Sequence, residues 1–83
     1  MGNVKVDRID AAKSALLEAA DKWPSQFLSR DDLRVFSGNA ISVRHLANLD
    51  SRGLGPDEYF YLGRRRVYPK KSAVEWLIQR LGV

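Results

Sequence analysis

The chain has 83 residues, of which 45% are hydrophobic and 29% are charged, and its formal net charge is +4. This length fits one small domain, and the composition is typical of a globular protein. The chain has no cysteine, which excludes disulfides and thiolate metal sites, and no apolar run approaches membrane-spanning length. The excess of positive charge favours an acidic partner such as a nucleic acid.

The first predicted element is an amphipathic helix from Asp7 to Lys22. Its apolar residues recur at helical spacing, and Pro24 ends it: Ile9, Ala12, Leu16, Ala19, Ala20 and Trp23. Met1 to Lys5 carry no pattern, and we expect them to be frayed. The pattern favours a helix that covers the core, with a dimer face or a partner-docking face as the alternative.

Phe27-Leu28 is predicted to be a short strand or an extended lead-in. Ser29 then caps a second helix over Arg30–Phe36, whose first turn holds two acids that the helix dipole stabilises. Ser37-Gly38-Asn39-Ala40 has the composition of a turn, because glycine and asparagine tolerate positive φ.

A third helix is predicted to begin after Ser42 as N-cap and to end before Gly53 as C′ residue. Val43, Leu46 and Leu49 fall on one side of it. The other side has no aliphatic residue and carries groups that reach phosphates and base edges: Arg44, His45, Asn48, Ser51 and Arg52. An ordinary solvated helix face is the alternative interpretation.

A hairpin is predicted from Glu58–Leu62 and Arg65–Tyr68, with Gly63-Arg64 as a type II′ turn. In this register Phe60 and Val67 share the core side. Arg64, Arg65 and Arg66 repel one another unless an anion lies nearby, which favours an anion-binding tip over a merely solubilising one.

The last predicted helix runs from Lys70 to Leu81 and stops at Gly82, with Trp76 off its apolar stripe. The helical and strand periods together predict one core: Leu33, Phe36, Leu46, Leu49, Phe60, Val67, Leu77 and Leu81.

The order helix, turn, helix, basic hairpin, helix resembles the small winged-helix proteins of the excisionase and AlpA type, relatives of the MerR DNA-binding domain. Four segments carry the resemblance: Ile41–Leu46 through Leu49 to Gly53, Gly55-Pro56, Leu62–Pro69 and Ala73–Leu77. It implies an α+β winged helix-turn-helix with a small two-stranded basic wing. Residues 1–83 would form one domain, with residues 1–24 as an accessory helix and 27–81 as the core.

Two departures from that family accompany the resemblance. The turn over 37–40 is about two residues longer than usual, and His45 stands where the family often has threonine. The resemblance implies that Ser42 and Arg44 lie at the major groove, and that Gly63 to Arg66 reach the adjacent backbone or minor groove.

We therefore expect a cytoplasmic or nucleoid-associated bacterial protein that binds double-stranded DNA as an excisionase or a small transcription regulator. The expected DNA-binding residues are Ser42, Val43, Arg44, His45, Asn48, Arg52, Arg64, Arg65 and Arg66. An integrase or other recombinase, or RNA polymerase, would be the protein partner, with homo-oligomers on DNA and no membrane association. No catalytic residue, metal or cofactor is expected. The alternatives are the DNA-binding domain of a phage terminase small subunit and a protein-interaction module whose basic hairpin docks an acidic protein.

Overall fold

The computed structural model describes the backbone of residues 4–81 and the side chains from residue 8 onward. This part of the chain forms four helices and three strands. In chain order they are α1 (Val4–Lys22), β1 (Phe27–Ser29), α2 (Arg30–Phe36), α3 (Val43–Ser51), β2 (Phe60–Leu62), β3 (Arg65–Pro69) and α4 (Lys70–Gln79). Within the same residues, no helix combines the length and the apolarity needed to cross a bilayer.

The two short helices begin and end where local sequence specifies. Ser29 accepts a hydrogen bond from the backbone of Asp32, and the Asp32 side chain accepts one from the backbone of Ser29, which makes a capping box for α2. At the end of α3, the N–H of Leu54 bonds the carbonyl of Leu49, and Gly53 lies at φ +72°. This is the Schellman arrangement that glycine permits, and it confirms the predicted end of the helix.

The hairpin is part of a larger sheet than the sequence predicted. β3 lies between β1 and β2, and both pairs are antiparallel, so the sheet has three strands where a two-stranded wing was expected. Phe60 pairs with Val67 and Leu62 with Arg65, as predicted, and Gly63 has a φ of +63° at the turn. Leu28 pairs with Tyr68, so the lead-in segment is a true strand.

The main core lies on the face of the sheet that carries Leu28 and Tyr68. Helix side chains cover this face: Leu33, Leu46, Leu49, Ala73, Trp76 and Leu77. Val67 is buried, as predicted, but it lies outside this cluster, and Phe60 is only partly buried. Both lie on the opposite face, because neighbouring residues of a strand alternate sides, and there Phe60 contacts Phe27 edge to face at 5.2 Å.

Three helix predictions also require correction. α1 begins at Val4, so Val4 and Lys5 are helical, while Met1 to Asn3 and Gly82 lie outside the described residues. Trp76, for which the sequence left open packing on α1 or partial exposure, is 6% exposed and belongs to the main core, where its ring nitrogen donates to the Leu54 carbonyl at 2.9 Å. Leu81 is only partly buried and lines a groove beside Leu16.

The first helix packs chiefly against α4. Leu16 and Trp23 turn inward and contact the core, as predicted. The Trp23 ring meets that of Phe36 edge to face at 5.4 Å, which ties the end of α1 to α2. This arrangement leaves the outward side of α3 and the tip of the hairpin uncovered by α1.

Candidate nucleic-acid interface

The outward side of α3 presents a row of polar groups to solvent. Arg44, Asn48 and Arg52 follow one another at four-residue intervals, and His45 lies beside them; all four are exposed. Leu46 and Leu49 are buried on the other side, which confirms the predicted division of the helix. Val43 departs from it, since 37% of its surface is exposed.

The start of α3 is held by Ser42. Its hydroxyl oxygen accepts from the backbone N–H of His45 at 3.0 Å, as the sequence predicted. The Ser42 side chain is exposed, and a hydroxyl that accepts one hydrogen bond can also donate one to an acceptor outside the chain. The cap fixes the orientation of the first turn, from which Arg44 projects.

The three hairpin arginines divide into two kinds. Arg64 and Arg65 are exposed at the tip, as expected. Arg66 is not: only 12% of its side chain is exposed, and its Nε lies 3.4 Å from a carboxylate oxygen of Asp50. Its guanidinium also stacks on the Tyr59 ring at 3.5 Å. The expectation that Arg66 reaches outward with the other two therefore does not fit its placement.

A cleft of about 220 Å³ separates the start of α3 from the hairpin. Four arginines and one aspartate line it, together with Ser29 and Val43. The charged residues are Arg30, Asp31, Arg64, Arg65 and Arg66. Asp31 is neutralised by Arg34, whose Nε lies 3.0 Å from it. Among the described residues, no ion pair involves Arg64, Arg65, Arg44 or Arg52. Arg64 and Arg65 therefore give the cleft positive charge without a carboxylate partner, whereas Arg30 and Arg66 are paired with Asp50.

Beneath the cleft lies a buried polar cluster that sequence reasoning missed. The Asp50 side chain, on α3, is 1% exposed. Its hydrogen bonds and ion pairs all involve the same carboxylate oxygen, Oδ2. Arg30 approaches Oδ2 through Nε and Nη2, each at 3.0 Å, and the Tyr68 hydroxyl also donates to it. These two partners and Arg66 lie 16 to 20 residues away from Asp50 in sequence, so no local pattern could reveal the cluster.

The cluster perturbs two of its members. Burial raises the pKa of Tyr68 to about 12, and the hydrogen bond that its hydroxyl gives to Asp50 adds to the shift. Desolvation acts to lower the pKa of Arg30, but its hydrogen bonds with Tyr68 and Asp50 outweigh this effect, so that the pKa is raised. Arg30 is therefore charged and Tyr68 neutral at physiological pH.

Gly55 closes over the same carboxylate. A Cβ atom at this position would lie 1.9 Å from Oδ1 of Asp50, so no larger residue fits without moving the carboxylate. Oδ1 itself has no hydrogen-bond partner within the described part of the chain. The loop that follows α3 is thus shaped around the Asp50 side chain.

No family model, curated protein or solved structure matches this chain. Within the described residues, no group of three or more histidine, aspartate or glutamate side chains is placed to hold a metal ion. The site must therefore be interpreted from its own chemistry.

Proposed function

We propose that this chain is a winged-helix protein that binds double-stranded DNA, with α3 in the major groove and the β2–β3 hairpin as the wing. The observation that carries the proposal is the cleft between these two elements, whose exposed arginines have no carboxylate partner. A phosphate backbone supplies the anionic charge that such a surface lacks, and a helix such as α3 fits the width of the major groove.

The two elements offer different chemistry. Arg44 suits guanine and Asn48 suits adenine in the major groove, since each side chain can make two hydrogen bonds to one base edge. Arg64 and Arg65 suit the phosphate backbone or a narrow minor groove. Ser42 and the backbone amides of its helix start suit a phosphate. His45, Arg52 and Val43 complete the proposed contact surface.

Within this class we favour an architectural or regulatory protein without chemistry of its own, of the excisionase kind or a small transcription regulator. The partners would be an integrase or RNA polymerase bound nearby. The positions of the bound sites separate the two roles: sites at an attachment junction support excision, and sites over a promoter support regulation. Sites beside a packaging start would support the terminase alternative.

The proposal is tested by selecting bound duplexes from genomic fragments and measuring affinity by fluorescence anisotropy. We expect a preferred duplex to bind more tightly than a scrambled one, with about 1–3 kcal/mol lost for each altered reading position. Affinity should fall steeply between roughly 50 and 200 mM salt, because phosphate contacts release counterions.

A matched pair of double variants provides the control. Arg64→Ala with Arg65→Ala removes two charges beside the cleft, and Lys13→Ala with Lys71→Ala removes two exposed charges from α1 and α4. Only the first pair should reduce the salt slope, by about two units. Equal effects of the two pairs, or stronger binding to an acidic polypeptide than to duplex DNA, would contradict the proposal.

A further inference from the structure

Asp50 joins the three elements that border the cleft. It belongs to α3, Arg30 begins α2, and Arg66 and Tyr68 belong to β3. All of these groups converge on a single carboxylate oxygen, at 3.0 Å from Arg30 and 3.4 Å from Arg66. The Asp50 side chain, which is 1% exposed, therefore links α3 to α2 and to the hairpin through one buried carboxylate.

Arg66 is held by more than the charge of Asp50. Its guanidinium is stacked over Tyr59 at 3.5 Å, and Nη1 lies 3.5 Å from the Tyr61 hydroxyl, at the limit of a hydrogen bond. Its Nε has no hydrogen-bond partner in the described residues, so the attraction to Asp50 is ionic rather than a formed hydrogen bond. Loss of the charge or the position of the carboxylate removes this ionic attraction and leaves Arg66 only its contacts with Tyr59 and Tyr61.

We propose that Asp50 is a positioning and specificity-determining residue, which holds the hairpin at a fixed angle to α3 and withholds Arg66 from DNA. The effect on DNA discrimination rests on the proposed function, whereas the effect on the position of the hairpin concerns the free protein alone. Loss of the carboxylate would release one arginine to phosphate and free the hairpin to move. The protein would then bind more duplexes with less discrimination.

The structure supplies two ways to disturb the carboxylate. Asp50→Asn keeps its shape and removes its charge. Gly55→Ala keeps every charge but places a methyl group where Oδ1 now lies, because the added Cβ would be 1.9 Å from that atom. Asp57→Asn is the matched control. Asp57 is an exposed acid on the loop that contains Gly55, and it borders a second pocket, next to Asp50.

The first measurement uses the free protein. In Asp50→Asn and Gly55→Ala, amide hydrogen exchange should become faster at residues 60–67 than at α4. We expect the ratio of the two increases in rate to be roughly tenfold, which corresponds to a loss of about 1.4 kcal/mol of local stability. Asp57→Asn should leave this ratio unchanged. Equal quickening at the hairpin and α4 would show that Asp50 supports the whole fold and would overturn the inference.

The second measurement uses preferred and scrambled duplexes at several salt concentrations. In Asp50→Asn the ratio of the two affinities should fall roughly tenfold, while the salt slope rises by about one unit as Arg66 gains a phosphate. Adding Arg66→Gln to Asp50→Asn should cancel the rise in slope. An unchanged ratio in a folded Asp50→Asn protein would overturn the inference.

Two outcomes are kept apart by this design. If the wild-type protein binds no duplex, the proposed function fails, and the exchange experiment still decides whether Asp50 fixes the hairpin. If Asp50→Asn does not fold, Arg66→Gln takes its place, because it leaves Asp50, Arg30 and Tyr68 together. It should quicken exchange at the hairpin and lower discrimination without raising the salt slope; unchanged exchange would count against the inference.

Discussion

At the scale of single residues, Tyr68 shows why a polar side chain lies at the centre of this core. Its ring is fully buried beside Leu28, and its hydroxyl is satisfied by donating to Asp50. A buried hydroxyl without a partner would cost free energy, so the Asp50 carboxylate makes the position suitable for tyrosine. The sequence did not reveal this, because the predicted register placed Phe60 and Val67 on the core side and therefore Tyr68 on the other side of the hairpin.

The burial of Tyr68 leads to a prediction about alkaline pH. The folded state raises the pKa of this phenol from 10.0 to about 12, so folding stabilises its protonated form. That contribution is fully present below pH 10 and is lost as the pH rises towards about 12. Relative to Tyr68→Phe, the wild-type free energy of unfolding should therefore decline by roughly 2–3 kcal/mol across this range.

The comparison with Tyr68→Phe removes the effect of the other titrating groups, since lysines and the remaining tyrosines are common to both proteins. Urea unfolding at pH steps between about 9 and 12 measures the difference. If the free energies of unfolding of the two proteins changed in parallel with pH, folding would not raise the pKa of Tyr68, and the prediction would be wrong.

At the scale of elements, α3 and the hairpin should contribute differently to DNA binding. The row that contains Arg44 and Asn48 has the geometry to distinguish bases, whereas Arg65 offers mainly charge. Arg44→Ala should weaken binding to the preferred duplex by about 1–3 kcal/mol and flatten discrimination. Arg65→Ala should weaken all duplexes similarly and lower the salt slope by about one unit.

The matched control is Arg8→Ala, which removes an exposed arginine from α1. Anisotropy with preferred and scrambled duplexes at several salt concentrations separates the three variants. If Arg65→Ala abolished discrimination and Arg44→Ala left it intact, the hairpin would be the element that reads sequence, through the shape of a narrow minor groove.

Predictability at this scale follows the range of the interactions. The caps at Ser29 and Ser42, the Gly53 terminus and the Gly63 turn depend on residues a few positions apart, and the sequence predicted all four. Trp76 and Asp50 depend on partners at least 16 residues away, and the sequence predicted none of these contacts. Arg66 was grouped with its neighbours for the same reason: its run of three arginines is local, but the carboxylate that holds it is not.

At the scale of the whole molecule, the chain is elongated. The principal extents are 52 × 28 × 20 Å, and the radius of gyration is 13.4 Å, against about 12 Å for a compact chain of this length. Helix α1 has 19 residues and is about 28 Å long, a little over half of the longest extent. Its residues do not line the cleft between α3 and the hairpin, so stability and DNA binding should be separable.

Two adjacent leucines of α1 test this separation. Leu16 packs against the core, while Leu17 is 52% exposed. Leu16→Ala should cost about 1–3 kcal/mol, somewhat less than a fully buried leucine does, and lower the melting temperature by roughly 4–8 °C for each kcal/mol. Leu17→Ala should change it little. Both variants should retain wild-type affinity and discrimination for duplex DNA at temperatures where they are folded.

Sedimentation of the same two variants decides between the two interpretations of α1 that the sequence left open. If α1 braces the domain, the protein loses stability in Leu16→Ala, and the oligomeric state of the protein does not change in either variant. A helix that joins two copies uses its exposed apolar residues instead. In that case Leu17→Ala would dissociate the assembly, with little change in the melting temperature of the separated chains. Because Leu16 already packs against the core and lines one groove with Leu77 and Leu81, we expect the first result.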